Sequence, residues 1–254
     1  MSTFDVCGLT IAYDDIAGPG DGRPMILVHG FATNRAENWR RLGWYGALER
    51  RRMRTVALDL RGHGESEKPH DPTLYGRETL AGDVLALMDH LGIARAHILG
   101  FSLGARVALA AALKAPERFA TLSLGGVGET LLEPRAAAGH PMAEAMEAAD
   151  AQSIAEPMLK SFRQFADAQG EDRLALAALA RAQETPIARD RLAGLPVPVL
   201  VVAGARDSLA GDPHPLAKVF PDGRAVRVPG VDHFSIIAHA LFKASVFDFL
   251  DGGI

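Results

Sequence analysis

Short, largely apolar runs recur along the chain at Met25–Val28, Thr55–Leu60, His97–Phe101, Thr121–Leu124, Val197–Ala203 and Ala225–Val228. Apolar residues at successive positions, in place of strict alternation, suit strands covered on both faces, as in a parallel sheet flanked by helices. Ahead of them, Phe4–Val6 and Leu9–Tyr13 predict two short strands meeting near Gly8, and the Gly/Pro-rich stretch from Gly18 to Pro24 predicts a turn. The pattern therefore predicts a mostly parallel sheet of eight strands.

The spacing changes between these runs. Leu80, Val84, Leu87, Met88 and Leu91 fall on one helical stripe that stops before Gly92, and a second helix, Val107 to Lys114, ends ahead of Pro116. An amphipathic stretch, Ile236–Leu250, closes the chain. The fold class is α/β, with strands and helices in alternation. From about Leu131 to Leu195 the strand signal is absent, and Ala, Met, Glu and Gln predominate in short helical pieces broken by Pro134, Pro141, Pro157, Gly170 and Pro186. An insertion of this kind predicts a small helical cap over residues 131–195, set into a core of residues 1–130 and 196–254.

Composition narrows the class. The chain has 254 residues, 48% of them apolar and 23% charged, which is enough to bury a large core in one domain. A formal net charge of -4 leaves no basic field for a phosphate backbone, so no nucleic-acid partner is expected. The run Arg50, Arg51, Arg52 and Arg54 reads as the solvated end of a helix. One cysteine, Cys7, forms no internal disulfide, and no Cys/His spacing of the zinc type occurs, so neither metal nor cofactor is expected. The N-terminal residues lack a basic start and a sustained apolar stretch, and the apolar run Val107–Leu113 is far too short to span a membrane. A cytoplasmic protein acting on a small molecule is the expectation.

Gly100-Phe101-Ser102-Leu103-Gly104 is a G-x-S-x-G sequence lying directly after a predicted strand and before an Ala-rich helix. That context predicts a tight strand-to-helix turn holding Ser102 at a positive φ, with glycines two residues either side where a Cβ would meet neighbouring backbone. The competing role for Ser102 is an N-cap for the helix from Leu103. A serine hydroxyl needs a base to take its proton, usually a histidine oriented by a carboxylate. His233 follows the last predicted strand, and Asp207 occupies the equivalent loop after the preceding one. Asp212, Asp232 and Glu129 are the rival acids, and Asp207 is preferred because serine, acid and histidine then follow one another at the carboxyl ends of strands.

A developing oxyanion needs two preorganised N–H donors. Leu103 supplies one at a helix N-terminus, where the dipole also favours negative charge. The other is expected from Phe31, in His29-Gly30-Phe31 after the Met25–Val28 strand; His29 itself reads as a loop brace.

Taken together, His29-Gly30-Phe31, the stretch Asp59-Leu60-Arg61-Gly62-His63-Gly64-Glu65-Ser66, Gly100–Gly104, Gly204–Asp207 and Asp232-His233 resemble the α/β-hydrolase superfamily, in its serine-nucleophile branch. The resemblance implies a core sheet with a mobile lid, catalytic Ser102, Asp207 and His233, and a structural role for the Asp59–Ser66 loop. It implies hydrolysis of an ester, lactone, amide or carbon-carbon bond, and a small carboxylic ester or lactone is the leading expectation. Epoxide hydrolases and dehalogenases of similar outline use an aspartate nucleophile, which Ser102 argues against. Carbon-carbon bond hydrolases and cofactor-free haloperoxidases share the triad, and some relatives are non-catalytic receptors for small ligands, so these alternatives stay open. Met142, Met146, Met158, Phe162 and Phe165 are expected either to line an acyl pocket or to form the cap's own core.

Overall fold

The computed structural model describes residues 2–19, 22–133, 140–182 and 187–254. Eight strands, β1 (Ser2–Val6), β2 (Leu9–Ile16), β3 (Met25–Val28), β4 (Thr55–Leu58), β5 (Ala96–Phe101), β6 (Phe119–Gly125), β7 (Val199–Gly204) and β8 (Gly223–Val228), form one sheet in the order β1-β2-β4-β3-β5-β6-β7-β8. β2 runs antiparallel to β1 and β4, and the remaining pairings are parallel. Every residue of β3, β4 and β7 is buried, the consequence of helices packing on both faces.

The helices are α1 (Trp44–Arg50), α2 (Arg77–His90), α3 (Leu103–Lys114), α4 (Pro141–Glu147), α5 (Pro157–Gln169), α6 (Arg173–Arg181), α7 (Arg189–Ala193), α8 (Pro213–Ala217) and α9 (Ala240–Leu250). Four of the five predicted stripe residues are buried in α2: Leu80, Val84, Leu87 and Met88 are fully covered in the core on one side of the sheet, while Leu91 lies at the helix end, half-buried against the same core. Truncating one such side chain to alanine typically costs about 2 to 5 kcal/mol. On the other side, Trp39 and Trp44 pack edge-to-face and are fully covered. Trp44 Nε1–H also donates to Ile237 O at 2.9 Å, which ties α1 to the segment that follows His233.

Several ends differ from the expected ones. β4 stops at Leu58, because the next side chain, Asp59, is drawn in by the N–H groups of Arg35 and Glu65. β7 starts at Val199, since Pro198 has no N–H to give a ladder. β6 and β8 begin two residues earlier than their apolar runs. The closing helix is two pieces, a 3₁₀ turn at Ile236–Ala238 and then α9, separated by His239, whose extended backbone lets its ring accept from Leu241 N–H. Arg50, Arg51 and Arg52 are exposed at the end of α1, and Arg54 is paired with Asp15.

α4 to α7 all lie between β6 and β7, and no strand occurs there among the described residues. Pro141 and Pro157 each begin a helix, and Gly170 ends α5 in the left-handed conformation. Pro134 and Pro186 lie outside the described residues.

Candidate active site

β5 leads directly into Ser102, and α3 begins one residue later. Ser102 has φ 54° and ψ -112°, a region that costs a residue with a Cβ about 1 to 3 kcal/mol. Both flanking glycines are required by close approach: a Cβ on Gly100 would be driven into the Gly104 carbonyl, and one on Gly104 into the Val28 carbonyl. The turn is held by Ser102 N–H donating to Gly125 O at 2.8 Å. The serine hydroxyl does not cap α3. It lies 3.0 Å from His233 Nε2.

His233 follows β8 and is buried, with its Nδ1 2.9 Å from Asp207 Oδ2. Asp207, after β7, is fully enclosed; its Oδ1 accepts from Leu209 N–H at 3.1 Å and Ala210 N–H at 3.0 Å. The three side chains thus form one hydrogen-bonded chain. The rival acids are engaged elsewhere. Asp212 caps α8 by accepting from His214 N–H, Asp232 binds Ser235, and Glu129 accepts from Asp212 N–H.

Beside Ser102 lies the loop after β3. Among the described residues, the N–H groups of Phe31 and Leu103 have no protein acceptor. Leu60 N–H donates to His29 Nε2 at 2.9 Å, so that nitrogen carries no proton; the other, Nδ1, donates to Gly30 O at 2.7 Å. Gly30 N–H in turn donates to the buried Asn38 Oδ1 at 2.8 Å. Gly30 C=O and Phe31 N–H belong to one trans peptide, so fixing the carbonyl fixes the opposed N–H. Ala32 then takes φ 59°, which turns the chain away.

Two cavities open at Ser102, of about 240 and 320 Å³. Of the five expected pocket or core residues, Phe162 and Phe165 line the first, and Met142, Met158 and Phe162 line the second. Met146 is fully buried in a cluster with Ala143, Phe162 and Leu176.

A family model described as alpha/beta hydrolase fold matches residues 23–168. The chain belongs to the α/β-hydrolase fold family. This α/β-hydrolase is 35% identical over 242 residues to the dihydrolipoyllysine-residue acetyltransferase component of the acetoin cleaving system of Pseudomonas putida, covering 90% of this chain and 63% of that protein. The chain spans less than two thirds of the length of the curated relatives it matches. It is similar to the crystal structure of a hydrolase from Pseudomonas aeruginosa, with TM-score 0.76 and 28% identity over 98% of this chain and 97% of that one. Against the enol-lactonase from Burkholderia xenovorans the TM-score is 0.73, at 28% identity over 98% of this chain and 100% of that one.

Around the site, the fold places groups that periodicity does not reveal. Glu171, in the turn between α5 and α6, is buried and accepts from Asn34 Nδ2–H at 3.0 Å and Gly64 N–H at 2.8 Å, clamping that turn to two core loops. Burial pushes its pKa up. Ser66 Oγ–H donates to the Asp59 carbonyl within the Asp59–Ser66 loop, while Arg35 pairs with Asp59 and Asp83 takes two bonds from Arg61, bracing the loop from outside. Among the described residues, no cluster of His, Cys, Asp and Glu is placed to hold a metal ion, and no helix is long and apolar enough to cross a membrane.

His29 and His63 are buried side by side, with ring centroids 5.0 Å apart. Burial holds the His29 pKa down to about 4 and that of His63 to about 3. Both are neutral in the folded chain while the unfolded chain protonates them near 6.5, so stability falls as the pH drops from about 6.5 toward 4, by up to about 1.4 kcal/mol per pH unit for each ring. Urea unfolding between pH 7 and pH 5 is expected to show a shallower acid loss for His63→Gln than for the native protein. Equal slopes would show that His63 binds the same protons folded and unfolded.

Proposed function

We propose that this α/β-hydrolase is a serine esterase or lactonase that cleaves a small carboxylic ester through an acyl-enzyme on Ser102. The observation that carries this reading is the chain Ser102 Oγ, His233 and Asp207, with 3.0 and 2.9 Å separations, at a strained turn whose serine caps nothing. A ligand-binding scaffold could keep the same turn and triad, so turnover separates the two readings.

In the first half-reaction Ser102 Oγ attacks the ester carbonyl carbon while its proton passes to His233 Nε2. The carbonyl π electrons move onto oxygen, where the Phe31 and Leu103 N–H groups receive the charge. Loss of one such donor typically costs about 3 to 4 kcal/mol of barrier. Collapse breaks the bond to the alcohol oxygen, which leaves with the proton from His233. Water then attacks the acyl group, gives a proton to His233, and releases the acid as that proton returns to Ser102. Throughout, Asp207 accepts from His233 Nδ1–H and keeps Nε2 facing the serine.

Residues 131–195 act in this reading as a cap, with α5 roofing the cleft. The likeness to an enol-lactonase supports acyl cleavage. Turnover of a chain-length series of p-nitrophenyl esters, together with several lactones, tests the proposal. No measurable turnover on any of them overturns it.

His29 acts on the reaction through the Gly30–Phe31 peptide and is a positioning residue. His29→Ala is expected to lower kcat by about 10²-fold at most, with a smaller change in KM, because the Phe31 N–H is loosened without being removed. A change confined to KM, with kcat untouched, would count against that role.

A further inference from the structure

The two cavities that meet at Ser102 differ in chemistry. Phe101, Phe165 and Phe234 line the first and not the second; the second is walled by Val127, Met142, Met158, Leu179 and Leu209 and has no aromatic ring of its own. Ser102 and His233 border both, and so do Phe31 and Phe162. Phe162, on α5, thus lines both cavities together with Phe31 and stands where the two meet.

The rings of the first cavity already stand in a tilted, edge-to-face series. Phe31 and Phe162 are 6.0 Å apart at 69°, Phe162 and Phe234 5.4 Å at 57°, and Phe165 and Phe234 6.0 Å at 58°. These are the arrangements aromatic pairs prefer, and one more ring can continue the series. Phe234 is 43% exposed although the adjacent His233 is buried, leaving a large aromatic face turned to the cleft. Space is sufficient: a dry cavity of about 150 Å³ binds benzene, and this one is about 240 Å³. In the second cavity, which Arg106 also lines, methionines and branched aliphatics form an adaptable wall that suits a flexible alkyl chain.

Resting on the serine-hydrolase reading, we propose that the substrate is an open-chain ester with two unlike arms. An aryl-bearing arm lies among Phe101, Phe165 and Phe234, an aliphatic arm lies among Met142, Met158 and Leu179, and the scissile carbonyl sits at Ser102 between them. Phe162 keeps the arms apart.

Two matched pairs of esters test this with leaving-group reactivity nearly equal within each pair: benzyl against cyclohexylmethyl hexanoate, and hexyl phenylacetate against hexyl cyclohexylacetate. The aromatic member is expected to have the higher kcat/KM, by about two- to tenfold, in one pair and not in the other. The pair that discriminates identifies the aryl arm as the alcohol or the acid. Phe165→Leu and Phe234→Leu are expected to bring that ratio close to one, Leu179→Ala to leave it in place while shifting the preferred alkyl length, and Phe162→Ala to admit the ring in both pairs. Hydrolysis of all four esters with no preference in either pair, or with equal preference in both, overturns the two-arm assignment. Hydrolysis of none of them while p-nitrophenyl esters or lactones are turned over overturns the two-arm assignment alone; no turnover on either set overturns the serine-hydrolase reading and takes this inference with it.

Discussion

Ser102→Ala is expected to hydrolyse esters about 10⁴ to 10⁶ times more slowly than the native protein. The change removes the atom that forms the acyl bond and leaves both N–H donors, both cavities and the His233–Asp207 pair in place. The remaining rate is the part that binding and the donors supply without a nucleophile. Folding is little affected. Alanine keeps the Cβ and therefore the strain of φ 54°, and the only bond lost is the one to His233 Nε2, worth about 0.5 to 1.5 kcal/mol. In a chain of this size that moves Tm by a few degrees. Ser102→Gly, equally inactive, is expected to melt above Ser102→Ala, since glycine takes a positive φ without steric cost. An alanine variant that retains native turnover on p-nitrophenyl esters would remove the acyl-enzyme from consideration.

Asp207→Asn is expected to lower kcat by about 10⁴-fold with KM nearly unchanged. The reason lies in the carboxylate's other oxygen. Oδ1 accepts from Leu209 N–H and Ala210 N–H, so an asparagine must place its carbonyl there and present its NH₂ to His233 Nδ1. Nδ1 then accepts, the ring proton moves to Nε2, and Nε2 has no lone pair for the serine proton. Asp212→Asn and Asp232→Asn are expected to keep native kcat, because those carboxylates serve a helix cap and a turn. A loss in either as large as that at Asp207 would assign the acid elsewhere.

Much of this arrangement is visible before folding. A strand buried on both faces must be apolar at successive positions, so Met25–Val28 and Val199–Gly204 announce themselves. G-x-S-x-G carries its own geometry, since only glycine survives the approach of Val28 and Gly104 carbonyls. Where the chain turns on a single contact, the reading is less exact. β4 is two residues shorter than its apolar run because Asp59 is captured by backbone N–H groups, and the closing helix breaks where His239 caps α9. Asn38, Trp44 and Glu171 carry no periodic signal, and their partners Gly30, Ile237 and Gly64 lie 8, 193 and 107 residues away.

By itself the sequence determined the α/β alternation, the serine at a strand-to-helix turn and the order of acid and histidine after it, because these follow from local periodicity and from backbone sterics within a few residues. Only the tertiary structure decided that Asp207 and not Asp212, Asp232 or Glu129 faces His233, that Ser102 turns to the histidine and leaves the helix uncapped, and that Met146 packs inward while Met142 and Met158 border a cavity. Such choices depend on which of several equivalent side chains finds a partner across the sheet edge, and that is set by hydrogen bonding and packing between segments that the chain order does not bring together.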